Sequence, residues 1–198
     1  MRIAPAALPT CIPARDAAYD VIVAGGGPAG LAAALAAADL GARTLILEAL
    51  SHFGGVAAIT PWMPMNRLLL NDQPRGFIHD RLVATLRSLG PDAATGGTRN
   101  AIDADGFNIH PDYIQLAAFE LLEAAGCHYR LYSPVTGVLM DRPRLRGVVC
   151  ERKGHRAEFT APVVIDATGD GDVCRLAGVP MVEGREEDGV HMPVSLVF

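Results

Sequence analysis

Tyr19 to Glu48 restricts the fold most, because it joins a buried strand, a glycine turn, a close-packed helix and a second buried strand without a break. Val21, Ile22 and Val23 form a short apolar run of the kind buried on both faces of a sheet. Gly25, Gly27 and Gly30 follow it as G-x-G-x-x-G. Gly25 permits a sharp turn out of the strand, Gly27 clears a side chain from where a pyrophosphate meets the backbone, and Gly30 lets the next helix pack close. The helix is expected from Pro28 to Leu40, with Pro28 in its first turn and six alanines from Ala32 to Ala38 keeping it slim. Gly41 ends it and Thr44 to Leu47 forms the next strand. Glu48 stands at that strand's end, about 20 residues beyond the glycines, where an acid can bind ribose hydroxyls. Alone, the glycine motif reads as a glycine-rich turn and Glu48 as an exposed carboxylate. In this order they read as a site for the ADP half of a dinucleotide.

The chain has 198 residues, enough to bury a sizeable core in one domain with or without part of a second. Its net charge of -5 and scattered Lys and Arg give no electrostatic footprint for nucleic acid, so no such partner is expected. Val21 to Ala38 carries no charge and would attract a hydropathy scan. A membrane helix would have to run through three consecutive glycines and Pro28, whereas strand, turn and helix account for every residue, so no membrane partner is expected either. Residues 1–18, rich in Ala and Pro, lack the pattern of a secretory signal and read as a loose leader. Cys11, Cys127, Cys150 and Cys174 form no Cys-x-x-Cys pair, and the six histidines lack ligand spacing. No metal is expected, and the cysteines read as small hydrophobes or incidental thiols in a reducing cytoplasm.

Beyond Glu48, Gly54-Gly55 leads into Thr60-Pro61-Trp62-Met63-Pro64-Met65, read as a proline-rich loop crossing a ligand face. Helical periodicity covers Gly76 to Leu89 and resumes near Pro111, with a polar linker from Pro91 to Gly106 between them and Gly126 as a stop. A strand is expected around Tyr129 to Tyr132. Val135 to Met140, Arg146 to Glu151 and Arg156 to Thr160 then read as an antiparallel meander. Val163 to Ile165 is another buried strand, ending in Asp166-Ala167-Thr168-Gly169-Asp170-Gly171-Asp172. In an open parallel sheet, ligands gather beyond the carboxyl ends of such strands.

The glycine motif, Glu48, Phe53-Gly54-Gly55 and Val-Ile-Asp-Ala-Thr-Gly-Asp-Gly-Asp together resemble the FAD-dependent oxidoreductases of the glutathione-reductase-like class, and among them the bacterial family related to the flavin subunit of heterodisulfide reductase. Gly184 to Gly189 and Met192 to Leu196 are also similar to that family, so the resemblance runs from Asp20 to the C-terminus. It implies an α/β, Rossmann-like FAD-binding domain with a central parallel sheet and an inserted antiparallel β-meander. It further implies that Gly25, Gly27, Pro28, Ala29 and Gly30 hold the pyrophosphate and Glu48 the adenosine ribose. Gly54 and Gly55 would pass close to the pyrophosphate and ribityl region, Val135 would offer its backbone to adenine, and Thr168, Gly169 and Asp170 would close over the cofactor. Val135 also reads as an ordinary core strand residue, and Asp170 and Asp172 as solvated turn residues. Ala49 stands where such flavoproteins often carry a basic residue. The closing Ser195-Leu196-Val197-Phe198 looks like the inside of a strand, which suggests the N-terminal part of a longer enzyme. Residues 19–178 are accordingly expected to be the FAD-binding domain and 179–198 the start of a substrate region. Iron-sulfur clusters of some relatives are not carried over, for want of closely spaced cysteines.

The expected activity is a cytoplasmic flavin-dependent oxidoreductase acting on a small-molecule substrate with an electron donor or acceptor. Alternatives are a flavin monooxygenase and a nucleotide-binding module without turnover of its own; a nicotinamide-only enzyme would leave the meander and the second glycine-acid loop without a role. Trp62 and Met63 read as facing the flavin or as part of a covering hydrophobic loop, and no residue qualifies as a catalytic acid or base.

Overall fold

The computed structural model describes residues 18–60, 63–65, 69–70, 73–74, 76–96 and 107–192. The first half contains β1 (Val21–Ala24), α1 (Pro28–Asp39), β2 (Thr44–Leu47), α2 (Val56–Ile59), β3 (Met63–Met65), β4 (Leu69–Leu70), β5 (Gln73–Pro74), α3 (Phe77–Leu89) and β6 (Ala94–Gly96). The second contains β7 (Phe107–Ile109), α4 (Pro111–Ala124), β8 (His128–Arg130), β9 (Val135–Asp141), β10 (Arg144–Arg152), β11 (His155–Thr160), β12 (Val163–Asp166) and α5 (Asp172–Leu176).

The central sheet is parallel throughout, in the order β12-β1-β2-β8. Successive side chains of a strand face opposite sides, and both sides are buried here. Ile22 and Ala24 of β1, with Leu45 and Leu47 of β2, pack against Val148, Cys150 and Phe159 of the meander. Val23 and Ile46 turn the other way, onto Leu31, Ala34 and Leu35 of α1 and Leu121 and Leu122 of α4. This two-sided burial explains the uninterrupted apolar runs. The small residues of α1 bring it close to the sheet: Ala34 is fully buried, and its carbonyl accepts the Cys127 thiol at 3.6 Å. The meander, β9-β10-β11, is antiparallel as expected. The molecule therefore has three layers, helices, parallel sheet and meander, in agreement with the α/β class read from the sequence.

Several expectations need correction. The segment read as a loop, Thr60 to Met65, contains β3, a short helix α2 precedes it, and the linker between α3 and α4 contains β6. These strands form a small antiparallel sheet, β3-β7-β6. Pro64 is tolerated because β3 lies at the edge, where a missing ladder donor costs little. The strand expected at Tyr129 to Tyr132 runs from His128 to Arg130, because Tyr132 has a φ of +51° and gives its amide to the Leu50 carbonyl. Trp62, the leader residues 1–17 and residues 193–198 lie outside the described residues. Cys127 and Cys150 are buried in the two cores flanking the sheet, and burial pushes the Cys150 thiol up to about 12. No described helix is long and apolar enough to cross a membrane.

Candidate functional site

The sheet's hydrogen-bond ladder runs one residue past its strands and delivers three loops to one edge. Gly25 gives its amide to the Leu47 carbonyl, Ala167 to the Ala24 carbonyl and Glu48 to the Arg130 carbonyl. With α1 leading from β1 to β2 and β12 on β1's other side, β1 marks the point where strand order reverses, the usual position of a ligand crevice.

Gly25 leaves β1 with a φ of +98°, a conformation L side chains rarely adopt, and an added Cβ would collide with the Ala167 carbonyl oxygen. At Gly30 a Cβ would collide with the Gly25 carbonyl oxygen. These two positions are closed by the fold itself. Gly27 is different: the nearest atom to an added Cβ there is the Gly55 Cα, 3.9 Å away. Gly54 donates its amide to the Gly26 carbonyl at 2.8 Å, fastening the second glycine pair to the first loop. Gly27 caps α1 without a side chain, Pro28 has no N–H, and the amides of Ala29 and Gly30 have no intrahelical acceptor. Open space in front of Gly27, at the positive end of a twelve-residue helix, suits a pyrophosphate.

Glu48 is 8% exposed. One carboxylate oxygen accepts the Gly26 amide at 2.6 Å and the other accepts the Leu50 amide at 2.7 Å, so this acid braces the glycine loop as well as facing the cleft. An adjoining recess of about 110 Å³ is lined by Gly25, Glu48, Val135 and Thr168, four residues singled out from sequence. Ser133 and Pro134, whose part sequence reasoning missed, complete much of its wall together with Ala49, which stands where a basic residue is common in such flavoproteins, and Asp172, which reads from the sequence as a solvated turn residue. Ser133 is buried and gives its amide to the Glu48 carbonyl at 2.8 Å. Gly169 and Asp170 sit exposed on the turn beyond Thr168.

That turn is held from behind. Asp166, the last residue of β12, accepts the Thr168 amide at 3.1 Å and the Thr168 hydroxyl at 2.7 Å on one oxygen, and the Cys174 amide at 2.8 Å on the other. Burial alone would raise its carboxyl, but the Cys174 and Thr168 donors outweigh burial and hold it below the usual carboxylate range. Phe53, which the sequence marks only as part of the Phe53-Gly54-Gly55 motif, also supports the site. It is fully buried, stacks edge-on against Phe119 and Tyr129 at 5.3 and 5.6 Å, and leaves no room for a side chain at Gly26. Among the described residues, no group of three or more His, Cys, Asp or Glu could hold a metal.

A family model described as FAD dependent oxidoreductase matches residues 20–198. Among curated proteins, a digeranylgeranylglycerophospholipid reductase of Picrophilus torridus is 29% identical over 81% of this chain and 42% of its own length. The hydrogen cyanide synthase subunit HcnB of Pseudomonas protegens is 28% identical over 75% of this chain and 33% of its own. Among solved structures, a geranylgeranyl bacteriochlorophyll reductase-like protein of Thermoplasma acidophilum superposes with a TM-score of 0.60 at 24% identity, covering 84% of this chain and 44% of that one. The chain thus spans less than half the length of these relatives.

Proposed function

This chain belongs to the FAD dependent oxidoreductase family, whose members are enzymes, and on that premise we propose that its glycine-lined cleft holds FAD for redox chemistry on a small-molecule substrate. One observation carries this reading: Gly25, Gly27, Glu48, Gly54, Gly55, Val135 and Thr168, from five separate stretches of chain, meet at the carboxyl edge of the parallel sheet. Bound FAD would supply hydride or electron transfer between that substrate and an electron donor or acceptor. The chain's own residues bind and orient. The Ala29 and Gly30 amides and the open space at Gly27 receive the pyrophosphate. Glu48, held rigid by its two amide donors, offers its remaining lone pairs to the adenosine ribose. The backbone around Val135 borders the adenine, and the Thr168 to Asp170 turn closes the cleft. Residues 19–178 form the FAD-binding domain in this reading, and 179–198 begin a substrate region. The buried Cys127 and Cys150 suit a reducing cytoplasm.

The relatives include a lipid reductase and a cyanide synthase subunit, so the substrate stays at the level of a small molecule. The test is the visible absorption spectrum of the purified chain after incubation with FAD and desalting, with the released cofactor identified. Retained FAD with its flavin bands is the expected result. A folded but colourless protein would overturn the reading that this chain holds the cofactor by itself.

A further inference from the structure

Resting on the reading of the cleft as an FAD site, we propose that Asp166 is a positioning residue: it fixes the Thr168–Gly171 turn against the glycine loop and so sets how tightly the cofactor is held, without touching it. Asp166 does not line the recess, whereas Thr168 and Asp172 do. Its carboxylate reaches both ends of the connection between β12 and α5, accepting Thr168 at the start and Cys174 inside the helix. The Thr168 hydroxyl extends the chain of bonds. It donates to Asp166 and accepts the Asp172 amide at 2.9 Å, so one carboxylate, one hydroxyl and three backbone amides form a single connected unit.

Between those anchor points Gly169 meets nothing within 4 Å of where a Cβ would stand and Asp170 is exposed, while Gly171 lies against Met181 and its carbonyl accepts the Arg175 amide at 2.9 Å. On the turn's inner side, by contrast, the Ala167 carbonyl lies so close to Gly25 that no side chain fits there. The turn thus begins directly beside Gly25, the first residue of the phosphate loop, so its position bears on that loop. The same bonds change the part assigned to Thr168. Its hydroxyl proton is committed to Asp166, so its contribution to the cleft comes from its backbone and its place in the wall.

The experiment measures FAD affinity by equilibrium dialysis for the full chain and for Asp166→Asn, Thr168→Val, Thr168→Ser and the Asp166→Asn/Thr168→Val pair. It is combined with amide hydrogen exchange at Thr168, Asp172 and Cys174 in flavin-free protein. Asp166→Asn and Thr168→Val should each weaken FAD binding about tenfold, the scale of a lost hydrogen bond to a charged group, and Thr168→Ser should recover what Thr168→Val loses. Because the two side chains act as one unit, the double variant should be about as weak as either single one. Exchange at the three amides should quicken in Asp166→Asn. Unchanged FAD affinity in a folded Asp166→Asn chain, or losses that simply multiply in the double variant, would overturn the proposal. Should Asp166→Asn fail to fold, the contrast of Thr168→Val with Thr168→Ser decides. A wild-type chain that takes up no FAD would defeat the functional reading instead. Amide exchange, which needs no flavin, would then still discriminate: quickened exchange supports the clamp and unchanged exchange refutes it.

Discussion

Gly25 and Gly27 stand two positions apart in one motif, yet the fold asks different things of them. Gly25 is enclosed by the Ala167 carbonyl, while Gly27 faces open space bounded by Gly55. Gly27→Val should therefore leave thermal unfolding of the flavin-free chain nearly unchanged while abolishing FAD retention; unchanged FAD affinity in the folded variant would remove the phosphate role from this loop. Gly25→Val should lower the unfolding temperature of the flavin-free chain outright, because its Cβ has nowhere to go. Melting curves with and without FAD separate the two cases. The motif glycines and Glu48 were legible in the sequence because spacing along one strand-turn-helix-strand unit fixes their places. What Gly26, Phe53 and Asp166 do was not, although the motifs contain them: the Gly26 amide meets a carboxylate 22 residues away, Phe53 meets Phe119 and Tyr129 on other elements, and the motif around Asp166 does not show which backbone amides its carboxylate holds.

At the scale of elements, the parallel strands were readable because burial on both faces leaves continuous apolar runs, and the meander because its turns carry Pro143 and Gly154. Strands β3 and β6 were hidden, since three residues show no period and β3 pairs with β7, more than forty residues along the chain. The seam between β1, β8 and the meander carries a pH consequence. The Tyr19 hydroxyl and His128 Nδ1 are 3.0 Å apart, with the Arg43 guanidinium over the Tyr19 ring at 5.0 Å. Burial first, and then Arg43, lowers the His128 pKa. The unfolded chain consequently binds this proton more readily than the folded one. The stabilisation is complete above the ordinary histidine value of about 6.5 and is lost as pH falls through the lower folded value. Urea unfolding of the flavin-free chain should show stability dropping just below that pH, and His128→Gln should flatten this part of the profile. An unaltered profile would show that His128 is not the group responsible.

Taken whole, the molecule places everything proposed for the ligand on one rim of the sheet and its packing on the two faces, an arrangement that, among the described residues, leaves the flank of β12 with no further strand of its sheet. Val163, at the start of that strand, is 48% exposed. A row of backbone donors and acceptors beside an exposed apolar residue is a template on which a second chain can extend the ladder. The isolated chain should therefore self-associate as its concentration rises. Val163→Lys, which sets a charge against edge-to-edge pairing, should raise the concentration at which light scattering first appears. Equal scattering from both proteins would place the sticky surface elsewhere. The open flank of the sheet thus makes β12 one edge through which colloidal behaviour, and the concentration at which this chain can be handled, are set.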